Sequence, residues 1–383
     1  MHRGIATFTL DTGKCPPWLF KRMVKMGRQI LEIMLAEYGP DKFIERIADP
    51  VWFQSLGTVL AFDWNASGLT TILTAALKEA IRGQEQYFGL FICGGKGKTS
   101  LKTPEQIHFW ANRLCLSDTK GQKLIYNSKM SAKVDSSLIQ DGYQLYHHTF
   151  FFSKNGAWAV VQQGMNKESR TARRYHWHSK KITDLIQDPH SGIISQKFHK
   201  KDPILNMTAK TSVKNRDLSV ELVNSNYSTI MKDIQLIRKY SSPLSHMVSL
   251  KVHEDQLTLL ELTDTEFSTH PVLLENFSKS KYLDKILWKV CDRKPESYQE
   301  LLKMTGVGPK TIRALSLVSE LIYGAKASYQ DPARYSFAHG GKDGTPYPVD
   351  RPTYDRNIEL LRKAVRKSRL SHTEKNDALK KLN

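Results

Sequence analysis

The sequence predicts an α+β fold, with an N-terminal mixed domain built around a β-hairpin (residues 1–215) followed by an all-α domain (residues 216–383). Three observations predict it. Apolar residues recur at spacings of three and four near the N-terminus, and a helical pattern returns from Tyr227 almost to the C-terminus. Between these stretches, two aromatic and β-branched runs flank Asn155-Gly156, a strong short-range hairpin signal. The length, 383 residues, exceeds the usual size of one domain, and a 40% hydrophobic content is enough to bury a core in each.

The first helix is read from Leu19, Phe20, Met23, Met26, Ile30, Ile33 and Met34, opened by Pro16-Pro17 and stopped by Gly39-Pro40. Asp41 is placed to cap the next helix, and Asn65 and Ser67 precede a further helical run, Leu69 to Ile81. Tyr87 to Ile92 reads as a short buried strand ending at Gly94-Gly95. The hairpin follows, its strands Gln144 to Phe152 and Ala157 to Gln163 joined by Ser153-Lys154-Asn155-Gly156. Asn166 to Lys181 is polar and rich in Arg, His and Tyr, and the domain boundary is placed between Lys197 and Val223.

Charge narrows the function. With 57 Lys and Arg against 38 Asp and Glu, the net charge of +19 creates a field that attracts polyanions. The charge is clustered: Val161 to Arg216 holds 12 basic against 4 acidic residues, and Leu361 to Asn383 holds 8 against 2. Such clustering is the footprint expected of a nucleic-acid partner. The chain lacks a run of about 18 apolar residues, so no membrane span is expected. No apolar secretory core follows Met1-His2-Arg3-Gly4, and Cys15, Cys93, Cys115 and Cys291 form no C-x-x-C pair. Both features fit the cytoplasm and argue against a disulfide framework or structural zinc.

The most specific pattern runs from Leu301 to Leu315, with Thr305-Gly306-Val307-Gly308-Pro309-Lys310-Thr311-Ile312-Arg313 at its centre. It resembles the helix–hairpin–helix of DNA-binding proteins. Gly306 and Gly308 permit a tight turn and a close approach to phosphate, and Val307 plugs the turn into the core. The second helix then points its free N–H groups and positive dipole end at that phosphate, with Lys310, Thr311 and Arg313 beside it. Such contacts read backbone geometry rather than base sequence.

Downstream, Tyr347-Pro348-Val349-Asp350-Arg351-Pro352 is similar to the catalytic segment of helix–hairpin–helix base-excision DNA glycosylases. That resemblance implies that Asp350 assists loss of the base and stabilises charge on the sugar, with Lys310 where bifunctional members carry a Schiff-base lysine. From the residues alone, Asp350 can equally cap a helix starting near Tyr354.

A second constellation surrounds the hairpin. Alternation puts His148 on one face with Phe150 and Phe152, and His147 on the other with Thr149 and Phe151. Asp135 and Asp141 precede them; Arg173, Arg174, His176 and His178 follow, the two histidines sharing a face if the segment is extended. Histidines and carboxylates so placed suit phosphodiester hydrolysis, with a His or a metal as activator. The plainer reading is a polar, DNA-contacting or solvated surface, on which Arg173 and Arg174 would meet the nucleic acid. Neither the restriction-nuclease pattern nor a Cys/His zinc pattern is present. Gly94-Gly95-Lys96-Gly97-Lys98-Thr99-Ser100 lacks the first glycine of a nucleotide-binding P-loop, so Lys96 and Lys98 are read as DNA-phosphate contacts.

Segments along nearly the whole chain resemble one prokaryotic family of unknown function, found mainly in archaea. They are Trp18-Leu19-Phe20 through Met26, Asp49 to Gln54, Phe62-Asp63-Trp64, Cys93 to Ser100 and Asp331 to Gly341. The expectation is a DNA-repair enzyme that grips double-stranded DNA through its backbone and incises damaged, mismatched or branched substrates, an endonuclease using Mg or Mn. The alternatives are a glycosylase or glycosylase/lyase acting through Asp350 without a metal, and a non-catalytic architectural protein.

Overall fold

Pro16 and Pro17 start the first helix, α1 (Pro17–Ile47), because proline's fixed φ suits a first turn and its missing N–H is no loss there. Gly39, at φ 75°, interrupts it at Gly39-Pro40, and the helix resumes at once. Asp41 does not cap the resumed stretch: its Oδ1 is buried without a hydrogen-bond partner, while Oδ2 accepts from Asn155. Asp49 is a true cap. Its Oδ1 accepts from the N–H groups of Val51 (2.8 Å) and Trp52 (3.2 Å) and opens α2 (Pro50–Val59).

The computed structural model describes residues 8–10, 13–60, 66–195, 204–240, 281–335 and 351–380. After α3 (Ala66–Ala80) and the short α4 (Glu85–Phe88), strand β1 (Leu90–Lys96) leads through α5 (Lys98–Leu101) and α6 (Thr103–Arg113) to α7 (Asp118–Ser137). The predicted hairpin is present as β3 (Gln144–Ser153) and β4 (Trp158–Asn166), following the short β2 (Ile139–Gln140). Strands β5 (Thr171–His178) and β6 (His190–Ser195) extend the sheet, and β7 (Leu205–Asn206) pairs with β2.

Helices α8 (Val213–Ser225), α9 (Tyr227–Tyr240), α10 (Lys281–Arg293), α11 (Tyr298–Lys303) and α12 (Pro309–Leu317) follow, then β8 (Arg334–Tyr335), α13 (Arg351–Lys367) and α14 (His372–Lys380). The main sheet has strand order β1-β3-β4-β5-β6-β8, antiparallel throughout except for the parallel β6–β8 pair. The fold is α+β, as the sequence predicts.

Both faces of the sheet are covered. Phe91, Phe150, Phe152, Val160 and Trp177 point to one side, where they pack with Val134 of α7 and with Leu301, Ile312 and Leu315 of α11 and α12 in one hydrophobic cluster. Leu90, Ile92, Phe151, Ala159 and Val161 point to the other, against α1, α2 and α3. Helix α13 joins that second cluster through Leu361 and Val365, and its Lys367 bonds to Glu37 of α1. The core therefore does not divide at residue 215: α11 and α12 share one cluster with the sheet, and α13 and α14 lie with the N-terminal helices. No helix among the described residues is long and apolar enough to cross a membrane.

Candidate nucleic-acid interface

Strand β5 is the point at which sequence expectation and structure part. Its eight residues, Thr-Ala-Arg-Arg-Tyr-His-Trp-His, are all buried, because β5 lies between β4 and β6 with helices over both faces. Arg173 and Arg174 are 0% exposed, so neither forms the DNA-contacting surface expected of them.

Each guanidinium is consumed inside the protein. Arg173 donates from Nη1 to Asp141 Oδ2 (2.8 Å) and to Asp331 Oδ1 (3.0 Å), and from Nη2 to Asp331 Oδ2 (2.8 Å). Tyr175 donates its hydroxyl to Asp141 Oδ2 (2.7 Å), and the Tyr143 ring stacks on the guanidinium. Burial disfavours the Arg173 charge, but Asp141, Tyr175 and Asp331 outweigh it and hold the group above its ordinary pKa. Asp141 is therefore half of a buried ion pair rather than a free acid or base. Arg174 points the other way, against the Phe53 and Phe8 rings and the Gln54 side chain, and burial lowers its pKa to about 9.

The histidines are sorted by the pleat. On the face toward α7, Asp135 is fully buried and accepts at Oδ2 from Gln162 Nε2 (2.5 Å) and Trp177 Nε1 (3.0 Å). Gln162 Oε1 lies 2.8 Å from His148 Nδ1, and His148 Nε2 lies 2.9 Å from Ser128 Oγ. Burial lowers the His148 pKa against the pull of Gln162 and Asp135, so the ring is neutral. Because Gln162 Oε1 can only accept, Nδ1 carries the proton and Ser128 donates to Nε2. The last member is His190, whose Nε2 lies 2.5 Å from Asp135 Oδ1.

His147, His176 and His178 occupy the opposite face. His147 Nε2 meets Thr149 Oγ1 (2.9 Å) and Thr74 Oγ1 (3.2 Å); burial, then His148 and Lys96, push its pKa down to about 3. His176 Nδ1 donates to Ile47 O (3.2 Å), and burial drives its pKa well below the usual histidine range, with Arg174 adding to the effect. Burial also lowers His178, whose Nε2 is buried without a partner. The six candidates therefore do not form one centre. Asp135 and His148 are joined through Gln162, Asp141 belongs to Arg173, and three histidines lie behind the sheet. Asp350 lies outside the described residues.

His190 is the member the sequence reading missed. It sits at the end of a long polar segment with no motif around it, and only the register reveals it. His176 pairs with Gly192 and Trp177 with His190, so the bulge falls at Ser191 and turns His190 toward Asp135.

The hairpin presents a different kind of surface. Gly306, at φ 95°, makes the turn, and a Cβ there would meet Ile286 Cδ1 at 2.2 Å. Val307 is 2% exposed and plugs the turn into the core, as expected. Gly308 is extended, offers no side-chain cap to α12 and has no atom within 3.9 Å of a built Cβ. Pro309 has no N–H, so the donors left at the helix start are those of Lys310 and Thr311. Lys310 is exposed; Thr311 is buried.

The turn is anchored from behind. Gln140 Nε2 donates to Pro309 O (2.9 Å), Arg313 Nε donates to Gln140 Oε1 (2.5 Å) and Lys133 Nζ donates to Met304 O (3.3 Å). Arg313 thus braces the hairpin. Lys96 and Lys98 are exposed at the sheet's β1 edge, with Lys96 over the Tyr146 ring. The glycines before them serve packing: a Cβ on Gly94 would lie 2.2 Å from His148 O.

Among the described residues, no three or more His, Cys, Asp or Glu side chains converge as a metal site. Asp135 and Asp141 already accept from histidine, amide, indole, phenol or guanidinium groups, so their donor sets do not fit a cation. All four cysteines are free thiols. Residues 4–349 match a protein family described as "Protein of unknown function (DUF763)". No curated protein and no solved structure matches the chain.

Proposed function

Since the chain belongs to the DUF763 family, whose description assigns no activity, we propose from its own residues that it binds double-stranded DNA through the phosphate backbone. One observation carries this reading: the Gly306–Lys310 turn offers an uncapped helix start and an exposed lysine on a backbone braced by Gln140, Arg313 and Lys133. A phosphate at that position satisfies the Lys310 and Thr311 N–H groups and meets the positive end of α12. The net charge of +19 supplies the long-range attraction.

Fluorescence anisotropy of labelled duplexes across a salt series tests it. Affinity should fall linearly in log–log form, and Lys310→Ala should reduce the slope by about 1. Gly308→Val should weaken binding to unrelated sequences about equally. A loss confined to one sequence would sink the backbone assignment.

The Asp135–His190 contact favours an incision role as the second reading. A buried carboxylate that orients an imidazole, here one whose side chain is 8% exposed, is an arrangement that takes a proton from an attacking water. End-labelled duplexes bearing uracil, inosine, a mismatch, an abasic site or a fork, run with magnesium, manganese or chelator, give the readout. Direct strand breaks abolished by His190→Gln support incision. Alkali-labile sites without direct breaks assign the glycosylase chemistry that the Asp350 segment resembles.

A further inference from the structure

A cavity of about 690 Å³ opens between the first half of α7, the β3–β4 turn and residues 182–185. Its size falls in the range of small-molecule sites, about 300–1,000 Å³. Lys120 and Lys123 reach it from α7 and Lys154 from the turn, all three exposed, against a single carboxylate, Asp184. Asp184 is partly committed, since its Oδ1 accepts from Ile186 N at 2.7 Å. Trp158, Leu124 and Ile182 supply apolar wall, and the amide of Asn127 lies among them.

The far wall includes Gln299, at the start of α11, the helix that leads into the Gly306–Gly308 turn.

We propose that this cavity holds one nucleoside 5′-monophosphate unit, with its base against Trp158 and the aliphatic wall and its phosphate among Lys120, Lys123 and Lys154. A flat ring matches the apolar wall, Asn127 offers hydrogen bonds to a base edge or sugar, and the lysines neutralise the phosphate. The placement of α11 between the cavity and the hairpin suits a nucleotide unpaired from the strand that the hairpin grips. That source rests on the DNA-binding reading; the pocket chemistry does not.

Isothermal titration of the full chain with dAMP, dCMP, dGMP and TMP, and with inorganic phosphate, tests the pocket. The wild type and Gly308→Val should bind the monophosphates equally. The double variant Lys123→Glu/Lys154→Glu should lose at least tenfold. No binding, no effect of the charge reversal, or inorganic phosphate bound as tightly as the nucleotides overturns the proposal.

Duplexes with and without one unpaired nucleotide identify the source. Preference for the unpaired duplex, lost in the double variant, assigns a strand nucleotide; monophosphate binding without that preference assigns a free one. Failure of paired-duplex binding overturns the hairpin reading alone.

Discussion

Arg173 links three segments far apart in sequence, bonding to Asp141 and Asp331 while itself 0% exposed. Removing one partner of such a group strands buried charge, which commonly costs about 3–5 kcal/mol. Arg173→Leu should therefore lower unfolding stability by that amount in urea titration; an unchanged midpoint would falsify the pairing. Histidine burial gives a second expectation. His147, with its pKa near 3, His148 and His176 are held neutral in the folded chain and have ordinary values near 6.5 when unfolded. The unfolded state then binds more protons, so stability is full above about pH 6.5 and falls below it, by up to about 1.4 kcal/mol per pH unit per histidine. Urea midpoints at pH 7.5, 6 and 5 should show this loss, and His147→Gln should show less of it.

At the scale of elements, the hairpin turn separates two roles of glycine. Gly306→Ala should destabilise the protein by about 1–3 kcal/mol, because φ 95° is strained for any L side chain and Ile286 lies in the way. Gly308→Val should leave thermal stability nearly unchanged and reduce DNA affinity, since its backbone is extended and its Cβ position open. Equal losses of stability in both variants would refute the distinction.

The elements legible in the sequence were those with strong local signals: the Pro17 helix start, the Asn155-Gly156 turn and the Gly306-Val307-Gly308 turn. Strand β5 was not. Its Arg, His and Tyr residues have the composition of a surface, and only the covering of both sheet faces makes them interior. The candidate site was half legible for the same reason. Period-two alternation separated His147 from His148, but the partners Gln162, Ser128 and His190 come from other elements, and no spacing rule connects them.

At the scale of the whole molecule, one hydrophobic cluster runs from Phe150 and Trp158 of the sheet through Val134 to Leu301, Ile312 and Leu315. A fragment of residues 216–383 should therefore lack a stable fold. Circular dichroism and hydrogen exchange of that fragment would show weak helicity and little protection; a cooperative thermal transition would contradict the shared core.

The Arg173–Asp331 contact, which spans 158 residues, also sets a schedule for synthesis. At translation rates of about 5–20 residues per second, Arg173 leaves the ribosome tunnel roughly 8–30 s before its second carboxylate. Until then the nascent sheet holds a charge only half neutralised and a β6 edge without its β8 neighbour. Ribosome-arrested chains ending before residue 331 should be cut readily by protease within β5 and β6, and chains long enough to deliver Asp331 and Tyr335 should resist.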